Sequence, residues 1–79
     1  MDKIHAMQLF IRVAELESFS RAADTLGLPK GSVSRQIQAL ESHLGARLLH
    51  RTTRRGQLTQ DGIVYYEPAR DLLSNLEEL

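Results

Sequence analysis

The sequence predicts a mainly α-helical domain of three helices, a short β-hairpin and a long final helix. Three observations carry this. Apolar residues recur at three- and four-residue spacings in three separate windows, the repeat of an amphipathic helix. Between residues 48 and 60 that spacing gives way to the β-tolerant runs LLHRTT and QLTQ around the turn-forming Arg54-Arg55-Gly56, which reads as a hairpin. Finally, the window 47–55 holds Arg47, Arg51, Arg54 and Arg55 and no acid, in a chain whose formal net charge is zero.

Helix one is expected over 3–16, where Ile4, Met7, Phe10, Ile11 and Ala14 form the stripe. Ser20 is placed to cap a short second helix, Arg21 to Leu26, by accepting a backbone N–H of its first turn. Gly27 ends it, and Ala22 and Ala23 are small enough for close helix approach. Helix three runs from about Lys30 to Leu44, with Val33, Ile37, Leu40 and Leu44 inward. Its opposite face carries Gly31, Arg35, Gln38, Ala39 and Ser42, flanked by Ser32 and Ser34. Thr59 caps the last helix, with Asp61 in its first turn, where negative charge suits the helix dipole. Along that helix Tyr65, Ala69, Leu72, Leu76 and Leu79 step by four and three, with Leu73 beside them, the seam of a coiled coil. Pro68 lies inside and removes one backbone bond, so a kink or loosened turn is expected near residues 64–68.

Composition narrows the function classes. At 79 residues the chain is one small domain, for which self-association is a plausible aid to stability. It has no cysteine, hence no disulfide and no thiolate metal site. A reducing, cytoplasmic setting is the expectation. No apolar run approaches the roughly 18 residues of a membrane span. Charge is unevenly spread: residues 1–60 carry nine Lys+Arg against five Asp+Glu, a net of +4, and 61–79 carry one against five, a net of −4. Phosphate binding depends on local patches, so the asymmetry outweighs the neutral total. His5, His43 and His50 are far apart in sequence and lack clustered carboxylates. No metal site, cofactor, nucleophile–base set or enzymatic activity is expected.

This order of elements, with a long final helix, is that of a winged helix-turn-helix. In it, helix two braces helix three, whose N-terminal part enters the major groove, and the basic hairpin lies on the adjacent backbone or minor groove. The division is 1–60 for the winged helix-turn-helix and 61–79 for the final helix. The segments SRAADTL, VSRQIQALE, LGARLLHRT and LTQDG, in that order and spacing, closely resemble the N-terminal DNA-binding domain of LysR-type transcriptional regulators, across essentially the whole chain. The resemblance implies a winged helix-turn-helix followed by a long dimerising linker helix, residues 61–79, and sequence-selective binding of double-stranded promoter DNA by a homodimer, with a tetramer for a full-length form. A small-molecule effector would act only through a C-terminal domain that this chain lacks. The implied base and phosphate contacts at the start of helix three fall on Lys30, Gly31, Ser34 and Arg35, and the wing contact falls on Arg54. One departure is visible. Where the family usually opens this helix with a Ser-Gln-Pro-like segment, the chain has Pro29-Lys30-Gly31, losing a side-chain cap and gaining a cation.

The candidate DNA-binding set is therefore Lys30, Gly31, Ser34, Arg35, Gln38, Arg51, Arg54 and Arg55, with Arg51 a secondary contact that could equally pair with an acid of the body. Arg35 can fork onto guanine O6 and N7, and Lys30 and Arg54 suit phosphates. The candidate dimerisation set is Tyr65, Ala69, Leu72, Leu73, Leu76 and Leu79, although packing of that stripe on helix one is an alternative. A rival reading from another class is a protein-interaction module whose exposed face docks a protein.

Overall fold

The computed structural model describes residues 1–51 and 56–78. Among these, the helices are α1 (Lys3–Leu16), α2 (Phe19–Leu26), α3 (Lys30–Leu44) and α4 (Gln60–Glu77). α1 lies at the centre and packs against the other three, while α2 also packs against α3.

The central position of α1 explains why its apolar face is wider than one stripe. Ala6, Met7, Leu9, Phe10, Ile11 and Val13 are all buried, whereas Ile4 is 42% exposed at its first turn. Asp2 caps the helix by accepting the His5 N–H at 3.0 Å. Its C-terminal turn closes through Glu17, which adopts a left-handed φ of 52°. Ser18, not Ser20, caps α2: its extended backbone brings the hydroxyl oxygen to the Arg21 N–H at 3.0 Å. The earlier start puts Phe19 in the first turn, where its ring packs against the core. Ser20 is left exposed inside the helix.

Ala22 and Ala23 are buried, which is how so short a helix holds α1 and α3 close. Gly27 and Gly45 end α2 and α3 with φ of 67° and 70°, the left-handed conformation that glycine takes without a Cβ penalty. The Ala46 N–H reaches back to the Glu41 carbonyl at 3.1 Å, the six-to-one bond of a Schellman ending. Val33, Ile37 and Leu40 are fully buried and Leu44 half-buried, so the expected inward stripe of α3 is the one observed.

The expected hairpin is reduced to one antiparallel bridge, Leu49 with Leu58, and no strand forms among the described residues. Two flanking bonds, His50 N–H to the Gln57 carbonyl at 2.9 Å and Thr59 N–H to the Leu48 carbonyl at 3.0 Å, keep the pair in register. Leu48 and Leu49 are both buried. Packing on the core, rather than a ladder of bonds, holds this segment. Thr52 to Arg55, where the turn was expected, lie outside the described residues.

Thr59 caps α4 as its position suggested, accepting the Gly62 N–H at 2.9 Å while its hydroxyl donates to the Arg47 carbonyl. α4 passes through Pro68 without a break in the helix, so the expected loosened turn does not interrupt it. Pro68 is exposed, and water can satisfy the carbonyl one turn earlier that loses its partner. The rings of Tyr65 and Tyr66 meet Phe10 at centroid distances of 5.8 and 6.3 Å, and Ala69 and Leu73 complete the contact.

Candidate nucleic-acid interface

α3 presents its outward face at the surface of the molecule. Lys30, Gly31, Arg35, Gln38, Ala39 and Ser42 are exposed, and Ser34 is half-buried at the edge. The helix contains one acid, Glu41, and that residue is 7% exposed and turned into the body. The face therefore carries Lys30, Arg35 and hydrogen-bonding groups with no competing carboxylate of its own. Its N-terminus has no side-chain cap. Pro29 supplies a carbonyl to the Ser32 and Val33 N–H groups, and Lys30 opens the helix as an exposed cation.

Arg35 lies back along the helix toward its N-terminus. A Cβ built on Gly31 would stand 3.1 Å from Arg35 Nη1, so the bare glycine gives the guanidinium its resting place. Lys30, Gly31, Ser34, Arg35 and Gln38 thus share one exposed surface, with the cations toward its N-terminal end.

Arg51 is placed differently. Its Nη2 donates to Glu41 Oε1 at 2.8 Å and its Nη1 to the Leu49 carbonyl at 3.2 Å. The guanidinium carbon sits 4.9 Å from the centre of the Phe19 ring. Burial lowers its pKa, Glu41 opposes that, and nearby Arg47 adds to the lowering. An arginine so held remains a cation at neutral pH. Turned inward, it does not belong to the exposed surface with which sequence reasoning grouped it. Pairing with an acid of the body was the alternative left open for Arg51; the acid is Glu41, which the sequence marks only as the sole acid of α3. Arg54 and Arg55 lie outside the described residues.

The α4 stripe divides in two. Ala69 and Leu73 are buried within the chain and Tyr65 is half-buried against Phe10, whereas Leu72 and Leu76 are 46% and 41% exposed. Leu79 lies outside the described residues. The desolvated Tyr65 hydroxyl has its pKa raised. Asp61, Glu67, Asp71 and Glu77 along α4 and Glu78 at its C-cap are all exposed, opposite in sign to the α3 face. Among the described residues no helix is long and apolar enough to cross a membrane.

Residues 4–63 match the family described as bacterial regulatory helix-turn-helix protein, lysR family. The chain belongs to the LysR family. Over all 79 residues it is 75% identical to the HTH-type transcriptional regulator YhjC of Escherichia coli K12, covering 26% of that protein. It is 52% identical to an HTH-type transcriptional repressor of Pseudomonas aeruginosa strain UCBPP-PA14, covering 25% of it. The chain thus spans about a quarter of the length of these LysR-type relatives. Among solved structures, the BenM DNA-binding domain in complex with benA site 1 DNA superposes with a TM-score of 0.91 at 40% identity, over 99% of this chain and 90% of that one. BenM is a regulator of Acinetobacter baylyi. Full-length CbnR complexed with its target DNA gives a TM-score of 0.89 at 36% identity, over 99% and 27% of the two chains.

Proposed function

We propose that this LysR-type domain binds promoter DNA sequence-selectively as part of a transcription regulator. The carrying observation is the exposed surface of α3, from which its only acid has been withdrawn into the body. Inserted in the major groove, α3 offers Arg35 and Ser34 to base edges, with Gln38 one turn further on. Lys30 and the uncapped helix start hold phosphate. The segment between α3 and α4 serves as the wing, with Arg54 and Arg55 on the backbone or minor groove.

Residues 1–60 act as the reading unit and 61–79 as a linker helix that pairs with a second copy. Exposed Leu72 and Leu76 supply the apolar contact of that pairing. The two α3 helices then enter successive major grooves about one helical turn apart. Effector binding and any higher assembly belong to a longer regulator, as the length of the relatives suggests.

Fluorescence anisotropy of labelled duplexes, one random and one enriched from a pool, titrated across a salt series, tests this reading. The expected result is a steep loss of affinity with salt and a clear preference for the enriched duplex, whose half-site spacing reports the dimer. Flat traces for every duplex from a folded chain would overturn it in favour of a protein partner.

A further inference from the structure

Glu41 does more than leave the DNA-facing surface. Its backbone carbonyl accepts the Gly45 and Ala46 N–H groups at 2.8 and 3.1 Å, ending α3. Its side chain then takes over the next turn of chain. Oε2 accepts the Leu48 and Leu49 N–H groups at 2.7 and 3.2 Å, and Oε1 accepts Arg51 Nη2 at 2.8 Å. One residue of α3 therefore holds the chain from 45 to 51. Arg51 extends the hold to α2 by lying over Phe19.

The return side of the segment is also seated. A Cβ on Gly56 would come within 2.2 Å of Val13 Cγ1 and 3.3 Å of the Val13 carbonyl oxygen, so the backbone at 56 lies directly on the end of α1. Arg51 and Gly56 are thus each seated on the helical body, Arg51 on Glu41 and Phe19 and Gly56 on Val13.

A buried ion pair is weak evidence for stability, because desolvating both charges offsets most of their attraction. Arg51 bears such a cost visibly: its Nε is buried and finds no hydrogen-bond acceptor among the described residues. What the pair gives in return is geometry. Two ends of a planar fork are engaged, one on Glu41 and one on the Leu49 carbonyl, and an aromatic face lies against it. That arrangement fixes direction as a single contact would not.

We infer that Glu41 and Arg51 are positioning residues for DNA binding: their clasp fixes the chain from Leu48 to Arg51 against α3, and Arg51 itself does not touch DNA. This rests on the reading of the chain as a DNA-binding domain. It makes a prediction opposite in sign to plain electrostatics. Glu41→Gln removes a negative charge from a DNA-binding domain, which by charge alone tightens phosphate binding. Gln keeps an oxygen for the Leu48 and Leu49 N–H groups but loses the charge that orients Arg51. The clasp therefore predicts weaker binding.

The test is a set of anisotropy titrations on the enriched duplex with wild type, Glu41→Gln, Arg51→Met, Arg54→Ala and the double variant Arg51→Met with Arg54→Ala, each checked for helicity by circular dichroism. Glu41→Gln and Arg51→Met should each weaken binding about threefold to tenfold, the range of coupling between residues that act through one another. In the double variant the loss should be well short of the product of the two single losses, as for residues that act through one another. Tighter binding by Glu41→Gln, or Arg51→Met and Arg54→Ala losses that multiply, would overturn the clasp while leaving the DNA-binding reading in place. A flat wild-type titration would overturn both. If Arg51→Met does not fold, Glu41→Gln paired with Arg54→Ala decides by the same comparison.

Discussion

α3 and α4 each bury an apolar stripe on α1 and expose an opposite face, but the two exposed faces have opposite characters. α3 shows cations, hydroxyls and amides, with its single carboxylate hidden. α4 shows four carboxylates, with Glu78 at its C-cap, and exposes Ile63, Val64, Leu72 and Leu76. An acid-free polar face is soluble in itself and suited to a polyanion. An acidic face carrying exposed leucines four residues apart is suited to a second apolar helix and repels that polyanion. The chain is neutral overall because the +4 of residues 1–60 offsets the −4 of residues 61–79, so its net charge describes neither surface.

Breaking the platform that both helices share should give the largest effect. Phe10 is fully buried and meets both tyrosines of α4, and α1 also carries α3. Phe10→Ala is expected to cost about 3 to 5 kcal/mol, a large part of the stability of a domain this small, and urea titration by circular dichroism would measure it. If only α4 contacts loosened, a monomeric α1–α3 unit would persist, and the two regions would be separable after all.

The next effect belongs to α4 alone. Leu72→Asp with Leu76→Asp should convert a dimer to a monomer in sedimentation, while the melting of the single chain changes little because both side chains are already exposed. An unchanged dimer would move the pairing surface to another part of the chain. On α3 the corresponding change is Arg35→Ala. It should weaken specific duplexes by about 1 to 3 kcal/mol and random DNA less, read by the same anisotropy titrations. Equal loss on both would make Arg35 a phosphate contact.

The contrast between the helices was largely legible in the sequence, because periodicity places residues on faces. Val33, Ile37 and Leu40 at helical spacing put Arg35 and Gln38 outward without further information. What periodicity could not give was the fate of charges that leave their helix. Glu41 on a wheel is simply one more position of α3, and Arg51 one more arginine of a basic run. Their meeting depends on the reversal at Gly45 and on the register of Leu49 with Leu58, which no local pattern encodes. The α2 cap was misplaced for a related reason: Ser18 and Ser20 are equivalent as cap residues, and the packing of Phe19 decides between them. The α4 seam was read as one stripe because a heptad pattern does not say which partner each position meets. Ala69 and Leu73 meet α1, and Leu72 and Leu76 stay outside.

The smallest predicted effect tests the α3 surface most specifically. Gly31 is exposed, and the group that a Cβ there would press, at 3.1 Å, is the far end of the Arg35 side chain. A flexible terminus can move aside at little cost, and alanine is a better helix former than glycine by up to about 1 kcal/mol. Gly31→Ala should therefore leave the thermal midpoint unchanged or slightly raised. Yet Arg35 would lose its resting place and meet DNA from a shifted rotamer, so affinity for the specific duplex should fall by about 0.5 to 1 kcal/mol, the cost of a displaced side-chain torsion. Stability and affinity moving in opposite directions would locate the effect at the site rather than in the fold. Unchanged affinity with raised stability would instead make Gly31 an ordinary glycine at a helix start and free Arg35 of any need for preorganisation.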